Sequence, residues 1–395
     1  MSNRGVAFSM IAGILLLTGV STASAQEITL YNFKGSNSSD GSVPVSNMIF
    51  DSAGNLYGTT SSGGAVGYPY DTNGTVFELS PAGGGAWTEK VLYNFGTNAG
   101  DGTVSEGGLV FDAQGNLYGT TVFGGANGNG SVYELSPGAG GIWTEKVIYS
   151  FGPTGLDGAS PKRGSLIFDT KGNLYGTTFL GGPNTVNNGA GVQTAGTVFE
   201  LSPGTGGVWT EKIIHNFGAP GDGANSVAGL VMDAAGNLYG TTVYGGSDNS
   251  GTAFEMSPGA GGTWTESVIH NFSLNGTDGT LPQAGLTFDT QGNLYGTAYG
   301  GGSNPYYGGL GAVFELSPAG GGNWSEGVIY SFDAVPGIGD YPFDSVTLDS
   351  AGNLYCTASS GLYAFGQVLR LTPGPNGWTE TTLYYFGDTP DGWDP

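Results

Sequence analysis

Phe50-Asp51-Ser52-Ala53-Gly54-Asn55-Leu56-Tyr57-Gly58-Thr59-Thr60 returns along the chain with few changes. Its Gly-Asn-Leu-Tyr core begins at Gly54, Gly115, Gly172, Gly236, Gly292 and Gly352, at spacings of 61, 57, 64, 56 and 60 residues. A period of that size marks an array of supersecondary units.

Each unit carries four short runs of strand composition, A to D. In the second unit these are Gly108 to Asp112, Asn116 to Thr121, Ser131 to Leu135 and Trp143 to Tyr149. The A–B link is Asp-x-x-Gly-Asn in all six units. Its Asp can accept from amides ahead of it and its Gly can take positive φ, as tight hairpins demand. The C–D link is nearly fixed. The B–C link holds 13, 8, 17, 8, 12 and 7 residues between strand B and the Gly that opens strand C. In an antiparallel blade the fixed A–B and C–D turns share one face, and the variable B–C and D–A links share the other. Variable loops on a rigid scaffold are where binding sites usually sit.

Four-stranded units repeated around an axis make a β-propeller. The expected fold is all-β: a six-bladed propeller of four-stranded antiparallel blades, with an extra N-terminal strand near ring closure. A β-solenoid fits units of this length poorly. Strand D has a seventh copy, Ile28 to Phe33, which is expected beside the last blade, as an edge strand or in exchange for Thr382 to Phe386.

The first 25 residues read as a secretory signal peptide: Arg4, an apolar run from Val6 to Val20, then Ser21-Thr22-Ala23-Ser24-Ala25. Residues 26–395 are expected to form one propeller domain, secreted or periplasmic, without membrane insertion after cleavage. That part retains 8 basic and 32 acidic residues, for a net charge of about −24. Such a charge disfavours nucleic acid and anionic membranes as partners. The chain is expected to be monomeric. Glycine, 78 of 395 residues, falls at turns without a three-residue period, and 12% aromatics exclude a disordered chain. The single cysteine, Cys356, stands where the other units have Gly58, Gly119, Gly176, Gly240 and Gly296, and reads as a small buried side chain.

Phe-Asp-x-x-Gly-Asn-Leu-Tyr-Gly-Thr-Thr, then Gly-Thr-Val-Phe-Glu-Leu-Ser-Pro, then Trp-Thr-Glu-Lys-Val-Leu-Tyr-Asn-Phe resembles the Gloeo/Verruco (GloVer) tandem repeat of exported bacterial proteins. The resemblance covers nearly the whole mature chain and implies no activity. More loosely, Leu-x-Phe-Asp-x-x-Gly-Asn-Leu-Tyr resembles the A–B hairpin of NHL-type and gluconolactonase-like six-bladed propellers, which supports the fold and says little about chemistry.

An Asp-Gly pair recurs in the D–A links at Asp40, Asp101, Asp157, Asp222 and Asp278, with Asp340 displaced. These aspartates are the metal candidates, expected near the mouth of the axial channel, with calcium the compatible ion. Turn chemistry is the favoured reading of the pairs, since they recur from blade to blade and a site usually needs asymmetry. No other cofactor is expected. His215 and His270 take the strand D slot of Tyr31, Tyr93, Tyr149 and Tyr330, and read as substitutes for that tyrosine.

Aromatic residues of the variable links are the ligand candidates. Phe123, Phe179, Tyr244 and Tyr299 precede Gly pairs after strand B, while Tyr68, Tyr70, Tyr306, Tyr307 and Tyr363 lie deeper in the B–C links. With neighbouring Asn and Asp they suit stacking against sugars or protein segments; packing between blades is the competing role. The functional expectation is a secreted non-catalytic module that binds a glycan or protein. The alternatives are a propeller hydrolase or lyase using acidic residues, with or without calcium, at the channel mouth, and a structural surface or matrix component.

Overall fold

In the computed structural model, which describes residues 28–35, 39–64, 73–152, 156–187, 191–303, 309–332, 341–359 and 366–386, the recurring hairpin is built around one carboxylate. Asp112 Oδ1 accepts from the amides of Gln114 (2.9 Å) and Asn116 (2.9 Å), and Oδ2 accepts from Asn116 Nδ2 (2.7 Å) and Tyr118 Oη (3.2 Å). Gly115, at φ 84°, completes the turn. The same set forms at Asp51, Asp169, Asp233, Asp289 and Asp349.

Six such hairpins belong to six four-stranded antiparallel sheets, ordered A-B-C-D. Strands A are Ile49–Phe50, Val110–Phe111, Ile167–Phe168, Val231–Met232, Thr287–Phe288 and Thr347–Leu348. Strands B are Leu56–Thr60, Leu117–Thr121, Leu174–Thr178, Leu238–Thr242, Leu294–Ala298 and Leu354–Ala358. Strands C are Thr75–Gly83, Ser131–Pro137, Thr197–Pro203, Thr252–Pro258, Ala312–Gly320 and Gln367–Gly374. Strands D are Ala86–Asn94, Trp143–Ser150, Trp209–Asn216, Trp264–Asn271, Asn323–Ser331 and Gly377–Tyr385. The chain is a six-bladed β-propeller.

Strands A close on the axis. A Cβ on Gly108 would lie 2.2 Å from Ser165 Oγ of the next blade, so neighbouring blades approach closely there. The blades pack through aromatic seams. Tyr57 of strand B lies edge-on to Phe111 of the next blade at 5.1 Å. Phe95, just past strand D, meets Tyr133 of the next blade's strand C at 5.0 Å. Edge-to-face rings add to the stabilisation from burial alone.

The variable face is visible as a set of small ribbons. Gly102–Thr103 of a D–A link pairs with Phe123–Gly124 of a B–C link, and the same pairing joins Gly158–Ala159 with Leu180–Gly181, Gly223–Ala224 with Tyr244–Gly245 and Gly279–Thr280 with Gly300–Gly301. D–A and B–C links therefore share one face.

At ring closure, the described contacts of the N-terminal copy run to the first blade. Phe33 packs on Phe77 at 5.1 Å, and Tyr31 donates to Asp40 Oδ2 at 2.7 Å. Phe33 thus takes the place against blade 1 that Phe95 takes against blade 2, on the side of the closing seam facing blade 1. The sixth blade keeps its own strand D.

Candidate functional site

The residues that break the repeat meet at the mouth of the axis on the variable face. Each D–A link turns through a residue of positive φ: Val43, Val104, Ser160, Asn225, Leu281 or Tyr341. From there to the hairpin Asp takes eight steps in five blades, as from Val104 to Asp112. In blade 3 it takes nine, from Ser160 to Asp169. The longer link presents Lys162 and Arg163. Lys162 Nζ sits 3.8 Å from the centroid of the Phe179 ring. The Arg163 guanidinium reaches across the mouth to Phe343 of the opposite blade, 5.7 Å from its centroid.

Phe343 is one end of an aromatic row. Its ring lies 4.9 Å from Tyr299, which stacks on Tyr341 at 4.8 Å and 26°. Beyond Tyr341 a cleft of about 360 Å³ is lined by Ser250, Leu274, Thr280, Leu281, Tyr299 and Tyr341, among others. Beside Phe343 stands Asp344, open to water at its surface yet set deep among the blades. Burial raises its pKa; the Ser345 amide, the Asn47 side chain and the charge of Arg163 act against that rise. Burial lowers the Lys162 pKa, with Glu106 opposing the shift and Arg163 adding to it.

Cation–π contacts, stacked tyrosines and a carboxyl beside an amide suit a polar ligand with flat faces. Of the aromatic candidates, Tyr299 belongs to this row and Phe179 lies under Lys162. Phe123 and Tyr244 do not join them. They stand one register later, as ribbon partners of Thr103 and Ala224, where Phe123 is exposed and Tyr244 packs on the blade core. Their counterparts at the Tyr299 level are Val122 and Val243, both buried. A one-residue slip changes the face a side chain takes, and adjacency to a Gly pair blurs that slip. Tyr68, Tyr70, Tyr306, Tyr307 and Tyr363 lie outside the described residues. Sequence reasoning missed Arg163, Tyr341, Phe343 and Asp344; the extra residue of the third D–A link was the available signal.

The Asp-Gly aspartates occupy the seams between blades, toward strand D, rather than the axis. Asp101 Oδ2 accepts from Tyr93 Oη (2.8 Å) of the preceding blade and faces Glu145 of its own blade. Tyr31–Asp40–Glu89 and Tyr149–Asp157–Glu211 repeat this arrangement. In two seams histidine replaces tyrosine. His215 Nε2 lies 3.0 Å from Asp222 Oδ2, and His270 Nε2 lies 3.2 Å from Asp278 Oδ2. Ligand atoms of His215, Asp222 and Glu266 fall within 4.8 Å of one another, as do those of His270, Asp278 and Glu326. A cation could share either group, but the Asp–Glu pair recurs where tyrosine stands, which ties it to blade geometry. Burial, then the neighbouring Asp, pushes each of Glu89, Glu145, Glu211, Glu266 and Glu326 up to about 7. In all five, Oε1 is buried without a hydrogen-bond partner. Asp340 lies outside the described residues.

The Gloeobacter/Verrucomicrobia repeat matches residues 13–190 and 184–395. No curated protein matches the chain by sequence. Among solved structures, a protein from Lactobacillus plantarum is similar at 14% identity and a TM-score of 0.53, over 89% of this chain and 85% of that one. A protein of unknown function from Dyadobacter fermentans has 12% identity and a TM-score of 0.45, over 87% and 94%. A hypothetical selenium-binding protein from Sulfolobus tokodaii has 10% identity and a TM-score of 0.49, over 82% and 74%. Likeness at such identities concerns the fold alone. Among the described residues no helix is long and apolar enough to cross a membrane.

Proposed function

The chain belongs to the Gloeobacter/Verrucomicrobia repeat family, and from that premise we propose a secreted, non-catalytic propeller that binds a glycan on its variable face, at the axial mouth. The observation that carries this reading is the row Tyr341–Tyr299–Phe343, which runs from an open cleft to the axis in residues the repeat does not repeat. Flat aromatic faces beside a carboxyl and an amide can stack on a sugar ring while hydrogen-bonding its hydroxyls. Calcium enters only as an additive in the binding assay. The sequence of residues 1–25 supports the export part of this reading, and secretion of the native precursor with a mature end near residue 26 would accord with it.

Titration of residues 26–395 against a panel of soluble oligosaccharides tests the reading. Binding that is lost in Tyr299→Ala and Phe343→Ala but kept in Phe123→Ala supports it. No binding to any member, or binding indifferent to Tyr299, sinks it. A propeller hydrolase or lyase is the second reading, favoured by the Asp344 carboxyl exposed at the mouth beside Phe343. Release of shorter products from a bound oligosaccharide, abolished by Asp344→Asn, would move the assignment there.

A further inference from the structure

The chain has nine Lys and Arg residues against 32 Asp and Glu, so the position of each cation carries information. Lys90, Lys146 and Lys212 bridge neighbouring blades by donating to the carbonyls of Gly141, Gly207 and Gly262. Lys34 lies 3.8 Å from Asp40. Lys162 and Arg163 are the one adjacent basic pair in the sequence, and the longer D–A link of blade 3 sets both at the axial mouth.

Lys162 rests on the Phe179 ring, with the charge of Glu106 acting on it. Arg163 is exposed and lies over the face of Phe343, and among the described residues it makes no ion pair or hydrogen bond. Its planar fork of donors is therefore uncommitted and exposed at the mouth. That fork matches a carboxylate in two-point geometry, which a lysine cannot do. Two adjacent cations also repel each other, and an anion placed between them relieves the repulsion.

We infer that the axial mouth is a carboxylate subsite, and that the glycan of the site described above is an acidic one whose uronate carboxylate docks on Arg163. The inference rests on the glycan reading and deepens it. The sugar ring lies along Phe343 and Tyr299, its carboxylate meets Arg163 with Lys162 behind, and its hydroxyls face Asp344 and Asn47. The overall negative charge does not forbid this. It is screened over about 8 Å at physiological ionic strength, whereas the guanidinium contact is direct. Charge attraction between Arg163 and Asp344 is the competing role for this side chain.

The test uses the mature chain, a galacturonate trisaccharide and the same trisaccharide as its methyl ester. The acid is expected to bind about tenfold or more tightly than the ester, the scale of one charge-assisted contact. Arg163→Gln is expected to erase that preference, and Arg163→Lys to keep part of it. Equal binding of acid and ester, or a preference that survives Arg163→Gln, overturns the carboxylate subsite and leaves the glycan reading standing. Binding of neither overturns the carboxylate subsite, and the oligosaccharide panel decides the glycan reading separately. If Arg163→Gln lowers the unfolding midpoint without touching the preference, the side chain serves its attraction to Asp344 and the inference fails.

Discussion

Cys356 faces Leu369 across strands B and C of the sixth blade, where the other five blades set a glycine against Phe77, Tyr133, Phe199, Phe254 or Phe314. The two positions exchange volume. A Cβ on Gly119 would lie 2.3 Å from Tyr133 Oη, and one on Gly176 would lie 2.6 Å from Phe199 Cζ. Where the ring is replaced by the smaller leucine, the opposite position can hold a thiol, buried with its pKa raised first by desolvation. Cys356→Gly should therefore leave a void and lower stability by about 1–2 kcal/mol. Cys356→Gly with Leu369→Phe should recover most of that loss, since it restores the pair used elsewhere. Gly119→Cys should be the most damaging, through overpacking. Urea unfolding midpoints rank the variants, and a double variant no better than Cys356→Gly would refute the exchange.

The seam carboxyls make stability depend on pH. Glu89, Glu145, Glu211, Glu266 and Glu326 sit near 7 in the folded ring, against an ordinary value of 4.5. Between about 4.5 and 7 the folded state keeps protons that the unfolded chain has released. Stability contributed by these groups thus falls as pH rises through that window and is gone above it. The urea midpoint should be higher at pH 5 than at pH 8. Glu145→Gln removes the ionisable group and places an amide donor near Asp101, whose Oδ1 lacks a partner. It should raise the midpoint at pH 8 and have little effect at pH 5. A midpoint that climbs from pH 5 to pH 8 would contradict this account.

Much of the fold was legible because blade geometry recurs in the local chemistry. Asp112, Gly115 and Asn116 declare a hairpin by residue type alone, and strict alternation of links then assigns the two faces. The site was less legible because it depends on what six blades bring together. Nothing near Arg163 in sequence points to Phe343, 180 positions away and on the opposite blade. The Asp-Gly aspartates were placed at the mouth because their links cross that face, yet the Tyr93 hydroxyl draws Asp101 outward into the seam. Glu145 carried no signal of its own, since Trp-Thr-Glu reads as an exposed strand edge until the neighbouring blade covers it.

The hairpin carboxylate offers a direct check on the scaffold. Asp112 accepts four hydrogen bonds within its own turn, two of them from backbone amides. Asp112→Ala should cost about 2 kcal/mol, because the turn is half-exposed and water replaces part of what is lost. Asp112→Asn should cost less, since an amide oxygen can still accept from Gln114 and Asn116 while losing the charge assistance. Equal losses for Ala and Asn would show that shape rather than acceptance fixes the turn.

Ring closure rests on Phe33. Its ring lies edge-on to Phe77 at 5.1 Å and is buried with Leu56 and Leu79. Phe95 and Phe151 hold the same relation to Tyr133 and Phe199. The sixth blade brings Phe386, also buried, beside Tyr384. Two candidates thus compete for one seam, and the one in contact with Phe77 should matter more to blade 1. Phe33→Ala is expected to cost about 3–5 kcal/mol, the usual range for a buried aromatic. It should also speed amide exchange in Leu56–Thr60 and Thr75–Gly83 well before exchange rises in blade 3, because an opened closing seam frees blade 1 first. Phe386→Ala should leave the blade 1 amides closer to native protection. If Phe386→Ala exposes blade 1 and Phe33→Ala does not, the C-terminal copy closes the ring and the N-terminal copy is an accessory.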